Sequence, residues 1–409
     1  MKKIFYGWWI VFVCGFIGFF KMGIVSYGFT AFFEPLVKEF GWSYTQISFA
    51  KSLRGLEMSV FSPIIGFLVD RFGSRNLIFL GVFTVGLGLI LLSITQSLIM
   101  FYGAFLLLAF GAGGIGGLVL VATVANWFDK NVGKAFGVVT GVSAAGGLIV
   151  PLIVWLIDVF QWRTASIILG LWIWTVGIPL SLLIHDKSKQ SDSIPDGNPL
   201  HHPMIQHVED KGKGGEIGFK EALQQRAFIY LNFVELTRHM IVSAFILHVM
   251  PYLSSVGIPR ITAGMVAGAI PIYNIIARLG FGWLADIFDK KYLMIVTLVL
   301  ISAGLLGLCY MQQGWLIFIS ILLLSSGWGG NMIVSRTIQI EYFRRAYFGK
   351  MLGIIMGFGA IGGIIGPTLA GWVFDTLQSY QFVWLIFCGL SGLSIWLVLR
   401  IKPVMKRDV

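Results

Sequence analysis

Apolar runs of about 20 residues recur twelve times along the chain, centred near residues 20, 57, 86, 113, 145, 174, 240, 274, 302, 328, 361 and 390. Each is long enough to cross a bilayer, because a helix rising about 1.5 Å per residue needs about 20 apolar residues to span the hydrocarbon. Six runs precede and six follow one long polar segment, residues 185–222. Its Pro, Gly, Ser and charged residues bury too little surface to fold alone, so it reads as a linker with at most a short interfacial helix. The pattern predicts an all-α membrane protein of twelve transmembrane helices: an N-terminal six-helix bundle over 1–184, a linker over 185–222 and a C-terminal six-helix bundle over 223–409. The opening Met1-Lys2-Lys3 followed by an apolar run mimics a secretory signal, but the run is too long and no small-x-small cleavage site follows. It is expected to stay as the first membrane helix.

Composition agrees: 57% of the residues are hydrophobic and 12% charged, with mean hydropathy +0.84, outside the range of soluble globular domains. Of the 30 Lys and Arg, 21 fall in the tails and the loops of one side, whereas the opposite loops hold only Lys38, Arg163 and Arg260. The positive-inside rule then puts both termini and the linker in the cytoplasm, in a plasma or bacterial inner membrane. The net charge of +11 is thereby explained without nucleic-acid binding. Cys14, Cys309 and Cys388 sit within apolar helices and read as packing residues, not a disulfide framework. His201, His202 and His207 lie in the linker without a ligand spacing, so no metal is expected. No cofactor is expected either. There is no Walker loop, no pair of catalytic acids and no zinc-spaced histidines in the helices, which argues against an ATP-driven pump and against an intramembrane enzyme, so no catalytic residue is assigned.

The two halves repeat. Gly66, Asp70, Arg71, Gly73 and Arg75 form a turn whose Gly, Asp and terminal base return 216 positions later as Gly282, Asp286 and Lys291. At the same offset Gly133, Lys134, Gly137, Gly141, Gly146, Gly147 and Pro151 return as Gly349, Lys350, Gly353, Gly357, Gly362, Gly363 and Pro367. Glycines four apart let helix backbones approach closely where lipid supplies no hydrophobic drive between helices. The pattern G-x-x-x-D-R-x-G-x-R after an apolar helix, echoed in the second half, resembles the loop motif of the major facilitator superfamily. The echo is degraded, with Ile287 in place of the Arg and Asp289 in place of the Gly. The resemblance implies two pseudo-symmetric six-helix bundles working by alternating access. Helices one, four, seven and ten would line the cavity, three, six, nine and twelve would face outward, and Asp70, Arg71 and Asp286 would hold the inner gate by charge contacts.

Six basic residues remain inside the apolar runs, Lys21, Lys51, Arg54, Arg238, Arg278 and Arg336, against two acids, Glu57 and Glu235, a formal balance of 6 − 2 = +4. Each cation costs about 2.5–3.5 kcal/mol at the bilayer centre, so the deepest must face water or partners. The charges fall on helices one, two, seven, eight and ten and avoid three, six, nine and twelve, in agreement with the implied cavity. A surplus of cations in low dielectric favours an anion, and Arg forks a carboxylate. Arg54, roughly 16 Å into helix two at about 1.5 Å per residue, either meets substrate or pairs with Glu57; Lys51 is shallower and can snorkel. Glu235, Arg238 and His239 share one turn of helix seven and form either a proton-coupling group or a permanent ion pair that fixes packing. His248 near the outer end of that helix is either a gate or a satisfied interfacial histidine. Arg336, five residues before Glu341, reads as snorkelling or gate-pairing, with Asn331 and Trp328 deeper along the cavity.

Ala277-Arg278-Leu279-Gly280 and the opening Tyr6-Gly7-Trp8-Trp9 resemble the helix-eight arginine and first-helix cluster of the monocarboxylate porters and oxalate/formate antiporters. The resemblance implies that Arg278 contacts a substrate carboxylate. Asn274 stands where many porters carry an acid, and Tyr27 where their first-helix lysine is expected, so their proton path does not carry over and Lys21 is the candidate replacement cation. The resulting expectation is a secondary transporter of a small organic anion, a monocarboxylate, coupled to protons or exchanged for a counter-anion. Arg278, Arg54, Lys21, His239 and Asn331 would bind substrate, and Glu235, Arg238 and Glu57 would serve proton coupling. The chain is expected to act as a monomer in the lipid bilayer. Proton-driven efflux of amphipathic compounds and a non-transporting solute sensor are the competing readings.

Overall fold

The computed structural model describes residues 6–53, 62–125, 127–128, 132–184, 225–310, 314–342 and 348–401, and these are helical almost throughout. Arg54, Glu57 and the linker histidines lie outside the described residues, as do the side chains of Asp70 and Glu341. A bilayer offers backbone groups no water, so long helices that satisfy their own N–H and C=O are the structure such apolar runs must take.

The first run is α1 (Tyr6–Phe20), continued by a π-helical turn (Lys21–Tyr27), a 3-10 turn (Gly28–Phe32) and α2 (Phe33–Phe40). Gly41, at φ 64°, ends it. The described residues of the second run form α3 (Tyr44–Leu53) and α4 (Ser62–Phe72). Then come α5 (Ser74–Ser93), α6 (Leu98–Gly114), α7 (Gly117–Ala125), α8 (Val132–Ala144), α9 (Val150–Trp172) and α10 (Ile178–Leu182). The second half holds α11 (Arg226–Ser255), α12 (Arg260–Ile287), α13 (Lys290–Tyr310), α14 (Trp315–Tyr342), α15 (Phe348–Leu377) and α16 (Tyr380–Leu399). Among the described residues ten continuous stretches are long and apolar enough to cross a membrane. One of them, Lys134–Leu182, contains Gln161 at φ 64° and ψ 159°, a reversal that separates two crossings. With the second run, of which residues 44–53 and 62–72 are described, the twelve spans of the hydrophobic pattern are accounted for.

The chain divides into two compact units, Met1–Met204 with Ile246–Pro271, and Ile205–Phe245 with Ile272–Val409. In the first, α1 packs on α8, and α5 packs on α6 and α9. In the second, α13 packs along α14 and α16. One backbone contact of the 216-residue repeat recurs inside each unit. A Cβ on Gly111 would lie 3.0 Å from the Gly81 carbonyl oxygen and 2.8 Å from Val85 N, and one on Gly327 would lie 2.7 Å from the Thr297 oxygen and 2.8 Å from Ile301 N. These glycines are where backbones touch. The four-spaced series differs from its expectation: around Gly137, Gly141, Gly353 and Gly357 no described neighbour comes within 4 Å of an added Cβ.

The loop motif is solved differently in the two halves. Gly73 sits at φ 80° and ψ 157° immediately before α5, a conformation that suits glycine. Its counterpart Asp289 instead accepts a hydrogen bond from the Lys291 backbone N–H at 2.7 Å and caps α13. The substitution that makes the second motif look degraded therefore supplies a helix cap. Arg71 and Asp286 are exposed and Arg75 is half-buried.

Candidate functional site

The densest polar cluster in the apolar interior lies in the second unit and is built on α11. Residues three and four apart on a helix share a face, so Glu235, Arg238 and His239 meet. Arg238 Nη2 donates to Glu235 Oε1 at 2.5 Å and its Nε to Oε2 at 3.3 Å. Glu235 is 1% and Arg238 5% exposed, and a charge pair this buried is held only by close geometry and further hydrogen bonds. His239 Nδ1 stands 3.1 Å from the Glu235 carbonyl oxygen, 3.2 Å from Arg238 Nη2 and 3.6 Å from Glu235 Oε1.

Two neighbouring helices close the cluster. From α14, Ser335 Oγ donates to Glu235 Oε2 at 3.4 Å, Gln339 Nε2 donates to Ser335 Oγ at 3.0 Å, and Arg336 Nη1 reaches Gln339 Oε1 at 3.5 Å. Helix α15 arrives through glycines. A Cβ on Gly359 would stand 2.7 Å from His239 Nδ1, and Gly362 and Gly366 lie directly on the carbonyls of Leu236 and Met240. Ser335 and Gln339 escaped the sequence reading, which counted charges; their four-residue spacing on either side of Arg336 was the available signal.

The other candidates in this unit lie on α12 to α14. Arg278 is half-buried with its Nε fully enclosed. Asn331 is buried and donates to Thr297 Oγ1 at 2.9 Å, and Asn274 donates to the Ser325 carbonyl at 3.4 Å. Thus Glu235, Arg238, His239 and Arg336 are gathered around one carboxylate, while Asn331 is engaged with α13.

In the first unit Lys21 opens the π-helical turn and is half-buried. Such turns interrupt the regular ladder and occur often at functional sites. The turn leaves the Ser26 carbonyl to receive Lys51 Nζ at 2.7 Å, so Lys51 bonds to backbone here. Gly146 approaches the Phe19 carbonyl as Gly362 approaches that of Leu236, and two residues beyond each carbonyl stands a cation, Lys21 in one unit and Arg238 in the other. The same unit ties Ile246–Pro271 to the first half: Thr30 Oγ1 donates to the Leu247 carbonyl at 2.7 Å, Ser48 Oγ lies 3.1 Å from His248 Nε2, and Arg260 Nη2 donates to the Ala31 carbonyl at 2.7 Å. His248 is fully buried.

Residues 11–330 and 233–408 match the Major Facilitator Superfamily. Monocarboxylate transporter 12 of Mus musculus is 24% identical over 428 residues, covering 98% of this chain and 86% of the relative. The uncharacterized MFS-type transporter YcxA of Bacillus subtilis (strain 168) is 23% identical over 422 residues, 98% of this chain and 96% of the relative. Among solved structures, a D-xylose-proton symporter superposes with a TM-score of 0.75 at 14% identity, covering 98% of this chain and 99% of that one. A bacterial homolog of the human lysosomal transporter Spinster gives 0.72 at 14% identity, covering 99% and 100%. At such identities the structures speak for the fold alone.

Proposed function

Because this chain belongs to the Major Facilitator Superfamily, a family of membrane transporters, we propose that it is a secondary active transporter of a small organic anion, a monocarboxylate, coupled to protons or exchanged for a counter-anion. The observation that carries the reading is a charge balance. Among the described residues of the second unit that lie more than four positions from a helix end, three guanidiniums, Arg238, Arg278 and Arg336, stand against one carboxylate, Glu235, while Asp286 and Asp375 sit at the ends of α12 and α15. Arg238 already holds that carboxylate. Excess positive charge in low dielectric attracts an anion. Relatives named as monocarboxylate transporters support the choice of cargo.

In this reading Arg278 is the fork for the substrate carboxylate, and His239 and Asn331 offer further hydrogen bonds. Lys21 and Arg54 are proposed as additional ligands on the charge argument alone. Glu235 carries the proton, held ready by Arg238, with Glu57 as a secondary candidate on sequence grounds. The turn of Gly66, Asp70, Arg71, Gly73 and Arg75, with Asp286, is proposed as the gate motif. The lysine and arginine distribution supports cytoplasmic termini in a cell membrane, with the chain acting as a monomer.

The test is uptake of a panel of labelled short-chain carboxylates by proteoliposomes, with and without an imposed proton gradient. Acids should be accumulated when the trans side is alkaline, lipophilic cations should not compete, and Arg278→Ala should lose at least about tenfold in rate, roughly 1.4 kcal/mol, with unchanged thermal stability. Absence of both acid uptake and acid counterflow in the wild type would overturn the reading.

A further inference from the structure

We propose that Ser335 and Gln339 are positioning residues through which an anion on Arg336 and a proton on Glu235 are linked. The inference rests on the anion reading above, with Arg278 as the first seat of the carboxylate and Arg336 as a second, and adds the means of coupling. Four residues stand in series with every donor aimed the same way. Arg336 Nη1 donates to Gln339 Oε1, Gln339 Nε2 to Ser335 Oγ, and Ser335 Oγ to Glu235 Oε2. Gln339 is 0%, Ser335 3% and Glu235 1% exposed, so each group depends on its neighbour and not on bulk water.

The polarity follows from what each group is able to do. An amide presents a carbonyl on one side and an N–H on the other. With Oε1 drawn to the guanidinium of Arg336, Nε2 of Gln339 must face Ser335. A hydroxyl that accepts from Gln339 turns its single proton toward Glu235, which suits a carboxylate and opposes a carboxylic acid. An anion seated on Arg336 competes for the guanidinium and releases Gln339 Oε1. The amide turns over, the Ser335 proton swings to Oε1, and a Ser335 lone pair becomes the acceptor for a proton on Glu235 Oε2. One O–H bond forms on Glu235 as one O–H bond of a hydronium ion breaks, leaving neutral water, and no electrons change hands.

Charge favours the two arrivals together. Arg238 and Arg336 against Glu235 give the cluster a formal +1, and an anion plus a proton leave it at +1. Either ligand alone shifts the charge of a buried site, which low dielectric penalises. Among the described residues of this unit, the other groups facing Glu235 are Arg238 and His239 on its own helix and Arg336 on α14. Helix α15 meets this face at Gly359 and Gly362, which carry nothing that titrates. By linkage, whatever the anion does to proton affinity the proton does to anion affinity.

The experiment is calorimetric titration of the purified full chain with acetate, pyruvate, lactate and benzoate, each in two buffers of different ionisation heat, which gives the protons taken up per acid bound. The wild type should take up about one. Ser335→Ala and Gln339→Leu should fall below about half while binding the acid no more than about tenfold more weakly, and Glu235→Gln should take up none. Ser335→Thr keeps the hydroxyl and should keep the count. Wild-type counts in S335A and Q339L would overturn the linkage, as would a count lost equally in S335T, which would assign the effect to packing. Binding by the wild type with no proton uptake would overturn the linkage while leaving anion exchange. Failure of all four acids to bind would instead overturn the anion reading itself.

Discussion

Arg260 Nε lies 2.7 Å from Asp158 Oδ1 although the two residues are 102 positions apart (260 − 158). The same guanidinium reaches Glu34 Oε2 at 3.4 Å and the Ala31 carbonyl at 2.7 Å, so one side chain at the start of α12 ties together the ends of α9 and the first run. Arg260→Ala should lower stability by about 1–2 kcal/mol, because two hydrogen bonds and the ion pair to Asp158 are lost at a partly exposed site. Arg260→Lys should recover only part, since a point charge does not fork. Thermal unfolding in detergent checks both; a fully stable R260A would show that the cluster is decoration.

Removing Arg238 should hurt more than removing its partner's charge conservatively. Arg238→Ala leaves Glu235 buried without its cation, a change that costs about 3–5 kcal/mol in comparable buried pairs. Glu235→Gln keeps the shape and one of the two acceptor oxygens and should fold. In transport, E235Q should abolish gradient-driven accumulation of a labelled acid while retaining counterflow. Accumulation at the wild-type level in E235Q would take Glu235 out of proton coupling.

Gly359 is predicted to be a positioning residue for His239. An added methyl would stand 2.7 Å from Nδ1, inside ordinary van der Waals contact, so the ring or α15 must shift. Gly359→Ala should be destabilising by about 1–3 kcal/mol, and His239→Ala should relieve it. A double-mutant cycle measures the relief, and additive effects would place the cost elsewhere.

The two solutions of the repeated turn make opposite demands. Gly73→Ala should be strained by its positive φ, at about 1 kcal/mol or more. Asp289→Ala should cost about 1 kcal/mol through loss of the α13 cap. Asp289→Gly should cost less than D289A, as glycine is tolerated at helix starts. Stability ranked by thermal unfolding tests the order.

Much of the architecture was legible because lipid solvent makes hydropathy a length measurement: each long apolar run became a helix. The internal repeat was equally legible, and contacts at Gly111 and Gly327 show why, since one close approach was used twice. The pairing of Glu235 with Arg238 could be read from their spacing on one helix. What escaped were partners brought together from different helices, Asp158 with Arg260 and Ser335 with Glu235. Uncharged Ser and Gln carry no local signal of being buried among charges. The glycine series misled for a related reason: regular spacing marks a helix face but does not say what stands opposite it.

Gly362 and Gly366 rest on the carbonyls of Leu236 and Met240 with no side chain between them. One wall of the carboxylate compartment is therefore peptide, not rotamer. Its contour is beyond the reach of conservative side-chain swaps on that wall, and only sliding an entire helix resculpts it. On the proposed reading, cargo preference is free to drift through residues such as Ser335 on the facing wall, while the glycine wall stays a fixed ruler against which every occupant would be measured.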